Sequence, residues 1–343
     1  MPSEVISDAI DRLLAGDDLG RAGAAEALEA IMSGEAGDAQ TAGFLIALRA
    51  KGETAEELAG LASTIRARAE RVAPPRGPFI DTCGTGGGRS TFNISTTATF
   101  VVAGAGVAVA KHGNRSATSR CGSADVLEAL GARIDLDPDA VGRCLEETGL
   151  GFMFAPAHHP SFKHIVPVRR ALGVRTIFNL LGPLTNPAGA PRQLLGVSDA
   201  AYLQRMGRAL AELGCERAML VRGRDGMDEV STAAVTDVVH VDGSDVATAT
   251  VDPAALGFAP PRDGDIAGSD PAGNAEVLRA VLGGTPGPAR DVVVLNAAAA
   301  LWLAGAAPDL ERAVTAAAVS IDEGAARERL DAFVAATRRL GGA

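Results

Sequence analysis

The sequence predicts an α/β protein with a small helical N-terminal domain and a large α/β domain built on a mostly parallel central sheet. Three observations carry this. Apolar residues recur at three- and four-residue spacing through the first seventy residues, the buried stripe of amphipathic helices. From residue 79 onward, short apolar runs alternate with helical stretches, the rhythm of strand–helix–strand units whose strands lie parallel. Between the two regions PPRGP, at 74–78, denies the chain regular hydrogen bonding and reads as a hinge.

In the helical region one periodic segment contains Leu13 and Leu14. Residues 24–32, 42–50 and 55–69 form three more, with Gly, Asp or Ser in the breaks. We take 1–72 as the helical domain. A later helical stretch, 161–179, interrupts the strand–helix alternation and is expected to return to it, so that about 161–190 completes that domain. The α/β domain, 79–343, starts with a strand at 79–82, a glycine loop, a helix from about Ser95 and a strand near 107–110. Residues 123–130 read as a helix with Ser123 as N-cap. A strand at 194–197, a helix at 200–213 and a strand at 218–221 follow. The alanine-rich tail from Asp291 reads as helix, and no internal repeat is present.

Composition narrows the classes. With 343 residues and 47% hydrophobic content, the chain has ample material for a core. Lys and Arg number 32 against 42 Asp and Glu, a net charge of -10, which argues against a nucleic-acid partner because duplex affinity rests on neutralising phosphates. Cys83, Cys121, Cys144 and Cys215 show no CxxC spacing, so neither a disulfide framework nor a zinc site is implied. Cys83 and Cys121 flank glycine-rich loops, but no histidine stands in a cysteine-enzyme setting, and they read as small buried thiols. MPSEVISDAIDRLL is acidic and amphipathic, unlike a signal peptide, and no apolar run reaches the roughly 18 residues of a membrane span. A cytoplasmic protein with no membrane partner is expected.

Chemistry gathers in polar islands. DTCGTGGG at 81–88 follows a strand, and its glycines let backbone N–H groups approach an anion. In a chain with 41 glycines such a loop alone is weak. TFNIST at 91–96 strengthens it: Asn93, Ser95 and Thr96 put an amide and two hydroxyls at one helix entrance, where plain N-capping would need only one. KHGNRSATSRCGS at 111–123 runs from an apolar strand straight into Lys111, His112, Asn114, Arg115, Ser116, Thr118 and Ser119, where open parallel sheets bind ligands. The adjacent pair Asp228–Glu229 suits magnesium, which takes one or two carboxylates together with substrate phosphates and waters. His158, His159 and His164 lack the supporting spacing of a zinc site, and His159 reads better as part of an organic-substrate pocket. Arg169 or Arg170 could grip a carboxylate with its planar fork. These parts suit a magnesium-bound phosphate ester, such as a phosphorylated sugar.

Taken in order, GTGG, NIST, KHGNRS, FNLLGPLTNP and MDEVS resemble the anthranilate phosphoribosyltransferases over nearly the whole chain, with the specific motifs between residues 81 and 231. KHGNRS and GPLTNP in order with DEVS carry the specificity. The resemblance implies an α/β domain of the nucleoside phosphorylase and phosphoribosyltransferase type, a homodimer, and a place in tryptophan synthesis. The implied reaction moves phosphoribosyl from phosphoribosyl pyrophosphate to the amine of anthranilate. By similarity Gly84, Gly87, Gly88, Thr91, Asn93, Ile94, Ser95, Thr96, Lys111, His112, Gly113, Asn114, Arg115, Ser116, Ala117, Thr118, Ser119 and Ser123 would hold the donor. Gly84, His112, Asn114, His159, Arg169 and Pro183 would line the anthranilate path. Ser95, Asp228 and Glu229 would serve Mg2+, two ions per subunit.

One departure stands out. The family's loop usually reads GTGGDG, whereas this chain has Gly88 at the aspartate and Arg89 after it, with one residue fewer before NIST. Arg89 could replace the lost group by contacting pyrophosphate directly. Two rival readings remain at this stage. A nucleoside phosphorylase would share the fold but not the KHGNRS and GPLTNP wording. A nucleic-acid-binding relative would need a basic surface and no metal carboxylates.

Overall fold

A computed structural model describes residues 2–116 and 120–342. Four helices open the chain: α1 (Glu4–Ala15), α2 (Gly20–Met32), α3 (Asp38–Lys51) and α4 (Ala55–Ala67). Thr54 starts α4 through a reciprocal cap, taking the Glu57 N–H at 3.2 Å while the Glu57 carboxylate takes the Thr54 N–H at 2.9 Å. Glu57 is fully buried, and it also accepts from the Leu19 N–H and the Lys51 ammonium at 3.0 Å each. One carboxylate thus fixes the starts of α2 and α4 together. Leu28, Phe44, Leu48, Leu58 and Leu61 fill the space between the helices and meet no solvent.

The strands are β1 (Phe79–Gly84), β2 (Ala108–Gly113), β3 (Leu150–Phe154), β4 (Arg192–Gly196), β5 (Arg217–Gly223), β6 (Thr236–Asp242) and β7 (Asp245–Val251). They form one sheet in the order β3-β2-β1-β4-β5-β6-β7, parallel from β3 to β5 and antiparallel through β6 and β7. The chain winds outward in both directions from β1, so a crevice opens at the carboxyl ends of β1, β2 and β4. Side chains on β4 and β5 alternate between two cores. Leu194, Met219 and Val221 join one apolar cluster, and Leu195, Ala218 and Leu220 the other. Burial on both faces explains why these strands read as continuous apolar runs.

The first face is covered by α5 (Ile94–Gly104), α6 (Ser123–Ala129), α7 (Pro138–Thr148), α12 (Pro271–Leu282), α13 (Pro288–Ala304), α14 (Leu310–Asp322) and α15 (Ala325–Leu340). The second is covered by α11 (Ala200–Glu212), against which α4 packs. Between β3 and β4 lie α8 (Ala155–His158), α9 (Val166–Leu172) and α10 (Phe178–Leu181). Ile165, Val168, Ile177, Phe178, Leu181 and Leu184 of this stretch share the apolar cluster of α1 to α4.

Several elements depart from the sequence reading. β1 and β2 run on to Gly84 and Gly113, into the glycine and basic motifs themselves. β3 was not expected: LGFMF follows α7 across Gly149 alone, with no polar break to set the strand apart from the helix. The hairpin of β6 and β7 turns at Gly243–Ser244, between the paired Asp242 and Asp245, with Gly243 at φ 58°, a Gly-Ser signal flanked by alternating residues that could have been read. Ser123 is not the cap of α6. Gly122 occupies that position, and the Ser123 hydroxyl bonds Asn114 instead.

α2 and α4 approach so closely at Gly60 that a Cβ there would run into the Arg21 carbonyl, with Arg21 Cα only 3.2 Å away. Gly60→Ala should therefore lower the unfolding free energy by about 1–3 kcal/mol, the usual range for overpacking. Denaturant titration of both proteins checks it, and an unchanged midpoint would show that α2 and α4 can separate at little cost.

Candidate functional site

The loop leaving β1 can approach an anion because it carries almost nothing but backbone. Gly86 and Gly87 sit at φ 64° and 86°, the left-handed region that favours glycine. The loop is braced from below, where the Thr85 N–H donates to the Gly196 carbonyl at 2.9 Å and the Thr85 hydroxyl accepts the Ser198 N–H at 3.1 Å. Glycines also seat the carboxylate pair. A Cβ on Gly196 would overlap the Asp228 carbonyl, and one on Gly88 would collide with the Asp228 carboxylate, 2.9 Å from the Asp228 nitrogen. The segment carrying Asp228 and Glu229 is then pinned by Asn296 of α13, which takes the Val230 N–H at 2.9 Å and donates to the Val230 carbonyl at 2.8 Å.

Beside the loop lies a buried charged cluster. Lys111 lies within β2 only 2% exposed, its ammonium donating to the Thr82 carbonyl and reaching the Thr82 and Ser95 hydroxyls at 3.4 and 3.5 Å. Burial lowers its pKa, and the charges of Asp81 and Glu229 oppose that fall. Glu229 accepts the Ser95 N–H at 3.2 Å, while burial and the neighbouring Asp228 charge push its carboxyl up to about 8. Burial also raises Asp228 against its bonds from backbone N–H groups and the charge of Arg175. Two half-buried carboxylates whose protons are hard to remove suit a cation. Among the described residues no group of three or more His, Cys, Asp or Glu side chains could hold a metal alone, so further ligands have to come from a substrate.

Asp81, at the centre of the sheet, holds the basic strap from behind. It accepts the His112 N–H at 3.1 Å and the Asn186 amide at 2.7 Å, and Asn186 also donates to the Ala110 carbonyl at 2.8 Å. The FNLLGPLTNP motif therefore clamps the end of β2. Further along, Gly113 leaves room for Ser123 and Phe152, and the Asn114 N–H donates to the Ser123 hydroxyl at 3.2 Å. Asp125 gathers the N–H groups of Ser116 and Gly122 at 3.1 and 2.8 Å, so the strap curls around the start of α6.

The other end of the cavity is aromatic. His112 Nδ1 lies 3.1 Å from the Gly182 carbonyl, which can only accept, so Nδ1 carries the proton and Nε2 offers an unpaired lone pair. The His159 ring lies edge-on to His112 at 5.1 Å and stacks on Phe162 at 5.1 Å, with neither nitrogen paired. Burial first, then the neighbouring histidines, drives His112 down to about 3 and His159 to about 4. Arg169 lies 5.4 Å over the Phe178 ring, and burial lowers its pKa. Its fork stays available for a carboxylate.

The structure unites most of the expected residues in one cavity of about 700 Å³. Gly84, Gly87, Asn93, Ser95, Thr96, Lys111, His112, Gly113, Asn114, Arg115, Ser116 and Ser123 line it, with His159, Arg169, Pro183, Asp228 and Glu229. Three expected residues lie outside. Gly88 packs on Asp228, Thr91 pairs its backbone with Ala267, and Ile94 is 1% exposed in the core. Ala117, Thr118 and Ser119 lie outside the described residues. Arg89 turns away as well, towards Asp263 at 3.4 Å and Asp225 at 3.8 Å, so it does not replace the missing aspartate. Asn93 makes no side-chain cap; it bonds the Cys121 carbonyl at 3.2 Å and Asn274 at 2.9 Å, tying strap to α12. Arg115 lines the rim but is paired with Asp125 and Glu128. The sequence reading missed Gly196, Asn296, Asp81 as a brace, and Arg175, a lining residue. LGVSD after an apolar run could have signalled the first; nothing local marks the others.

Comparison with known proteins decides among the readings. The glycosyl transferase family's helical bundle domain matches residues 7–69 and its a/b domain matches residues 76–327. An anthranilate phosphoribosyltransferase of Moorella thermoacetica is 54% identical over 327 residues, 95% of this chain and 96% of that protein. The chain belongs to the anthranilate phosphoribosyltransferases. The crystal structure of the family member from Thermus thermophilus superposes with a TM-score of 0.91 at 41% identity, covering 96% of this chain and 99% of that one. A Saccharomyces cerevisiae member, solved in complex with PRPP and Mg, gives 0.90 at 27% identity over 98% of both chains.

The depressed imidazoles give a test with a definite sign. Below the ordinary histidine pKa of about 6.5 the unfolded chain takes up protons that the folded chain refuses. His112 and His159 therefore withdraw stability as pH falls from about 6.5 towards 4 and 3, and withdraw no more below that. Imidazole NMR should show both rings neutral down to about pH 5, and urea midpoints of His159→Gln should fall less over this window than those of wild type. A ring titrating near 6.5 would overturn the assignment.

Proposed function

We propose that the glycine loop, the α5 entrance and the basic strap hold 5-phosphoribosyl 1-pyrophosphate, and that His112, Asn114, His159, Arg169, Pro183 and Gly84 receive anthranilate. The reaction is that of the family: the phosphoribosyl group passes from the donor to the anthranilate amine, giving N-(5-phosphoribosyl)anthranilate and pyrophosphate, a step of L-tryptophan biosynthesis. The observation that carries the residue assignment is the divided lining of one cavity. Loop, strap and paired carboxylates form one end, and an aromatic slot with an open guanidinium forms the other.

The arylamine is neutral near pH 7 and needs no strong base before attack. Two neutral imidazoles agree with that: the lone pair on His112 Nε2 can accept an amine N–H and orient the nitrogen, and Arg169 can take the carboxylate in a fork. Lys111 and the loop N–H groups offset charge on the phosphate end. Asp228, Glu229 and the Ser95 hydroxyl would hold magnesium, which when bound supplies positive charge to the departing diphosphate. We assign two ions per subunit, because Glu229 faces Ser95 while Asp228 faces the loop at Gly86 and Gly88.

Residues 2–72 and 161–190 act together as the helical unit over the cleft, beside an α/β unit from residue 79. Three of the exposed large apolar side chains, Leu14, Ile46 and Val174, belong to that helical unit and lie outside the cavity lining, and they support a homodimer formed through it. The site of action is cytoplasmic, in keeping with the absence of any helix long and apolar enough to cross a membrane among the described residues.

Anthranilate fluorescence in the presence of phosphoribosyl pyrophosphate tests the reading. The signal should fall only with magnesium, and Asp228→Asn with Glu229→Gln should cut kcat/KM by roughly 100-fold or more. Folded wild-type protein that leaves the signal unchanged would end the assignment. Gly88→Asp, which restores the family's more usual residue, should lower kcat/KM about tenfold, since its side chain collides with Asp228 and brings a third carboxylate to the pair. An equal or higher value would mean that the shortened loop readily repacks.

A further inference from the structure

Arg175 stands where the sequence reading wanted Arg89. It precedes α10, lines the cavity at the phosphate loop, and donates from Nη2 to the Gly86 carbonyl at 3.2 Å and the Ser198 hydroxyl at 3.5 Å. A Cβ on Gly87 would run into its guanidinium, so no side chain separates Arg175 from the loop's backbone. Of the other four cations of the cavity, Lys163 is exposed beside Phe162 at the aromatic end, and three are placed elsewhere. Lys111 is held by Thr82 and Ser95, Arg115 by Asp125 and Glu128, and Arg169 lies over Phe178 at the aromatic end. Arg175 has only neutral acceptors, the second at the limit of a hydrogen bond.

We propose that Arg175 is a binding residue for the donor's diphosphate, its fork leaving the Gly86 carbonyl and Ser198 hydroxyl for phosphate oxygens when the donor enters. This rests on the donor site assigned above. Exchanging two neutral acceptors for charged oxygens favours the move, because charge-assisted bonds are shorter and about twice as strong. The backbone of the same residue is moored on the other side of the cleft, where its carbonyl accepts from Arg49 of α3. Arg175 therefore ties the diphosphate to the helical unit: its head meets the α/β loop and its main chain is fixed to α3.

Arg175→Ala, Arg175→Lys and Arg49→Ala in the full chain test this by steady-state kinetics and by calorimetric binding of magnesium pyrophosphate. Arg175→Ala should raise the donor KM about tenfold and weaken pyrophosphate binding by a similar factor, with the anthranilate KM within twofold of wild type. Arg175→Lys should recover part of the loss, since it keeps the charge without the fork. Arg49→Ala should show a smaller shift in the same direction. A donor KM and pyrophosphate affinity unchanged in Arg175→Ala would overturn the proposal. So would equal losses for both substrates together with a lowered Tm, which would make the residue a structural strut. Calorimetry reads Arg175 without turnover, so an enzyme inactive towards anthranilate would fail the acceptor assignment and still test this one.

Discussion

Burying the Lys111 ammonium is the constraint around which the site is arranged. An ammonium removed from water costs several kcal/mol unless acceptors meet it. Here they come from three elements: the Thr82 carbonyl and hydroxyl on β1, the Ser95 hydroxyl on α5, and the charges of Asp81 and Glu229 on β1 and beyond β5. Lys111 is satisfied only when all three are in register, so the position of the ammonium also fixes Ser95 and Glu229. Asp81 extends the arrangement backwards, because the carboxylate that faces Lys111 also receives the His112 N–H and the Asn186 amide. The orientation of His112, and with it the aromatic end of the cavity, is thus tied to the same buried charge.

The cluster is electrostatically unfinished without ligands. Burial and Asp228 make the Glu229 charge costly to hold, and the cavity as a whole carries five cationic side chains against two carboxylates in a chain of net charge -10. Such a surface suits an anionic molecule that arrives with divalent charge, whose phosphates meet the cations while the metal meets the carboxylates. Neither partner would bind as well alone. This also explains why a carboxylate pair suffices here, where a resident metal site would need a fuller set of protein ligands.

The sequence showed this chemistry where it lay in contiguous motifs. Ser95, Lys111, His112, Asn114, Asp228 and Glu229 sit within short polar runs beside apolar strands, and the fold brings them to the carboxyl ends of β1 and β2 and the loop after β5. Residues whose role depends on what the fold places opposite them were invisible. Asn296 is a polar residue in an apolar helix, and its function exists only because Val230 lies across from it. Gly196 is one glycine among 41, and only the Asp228 carbonyl above it makes it necessary. Arg89 failed in the opposite way: its position in the loop suggested a ligand contact, but Asp225 and Asp263, distant in sequence from it, hold the side chain outside the cavity. The domain alternation was readable as far as polar breaks set strand apart from helix, and broke down at β3, which follows α7 across a single glycine, and at the β6–β7 hairpin.

The position of the helical unit limits how the cleft can close. PPRGP at 74–78 suggests a free hinge, but α4 packs on α11, and residues of α1 to α4 share one apolar cluster with Leu195, Val197 and Leu220 of the sheet face. Arg66 adds a polar tie across that contact, donating to the Leu213 carbonyl at the end of α11 at 3.4 Å, and it binds the two parts of the helical unit together through the Leu184 carbonyl at 2.7 Å. A wide swing about the linker would have to expose that cluster, at about 25 cal/mol for every Å² of apolar surface returned to water. A smaller movement that keeps the α4–α11 contact as its pivot would avoid that cost, and it would start from a cleft already bridged, since Arg175 donates to the Gly86 carbonyl of the glycine loop at 3.2 Å. Water, which competes with the arylamine as nucleophile, is then excluded at the mouth of the cavity, while the buried Lys111 cluster beneath stays fixed.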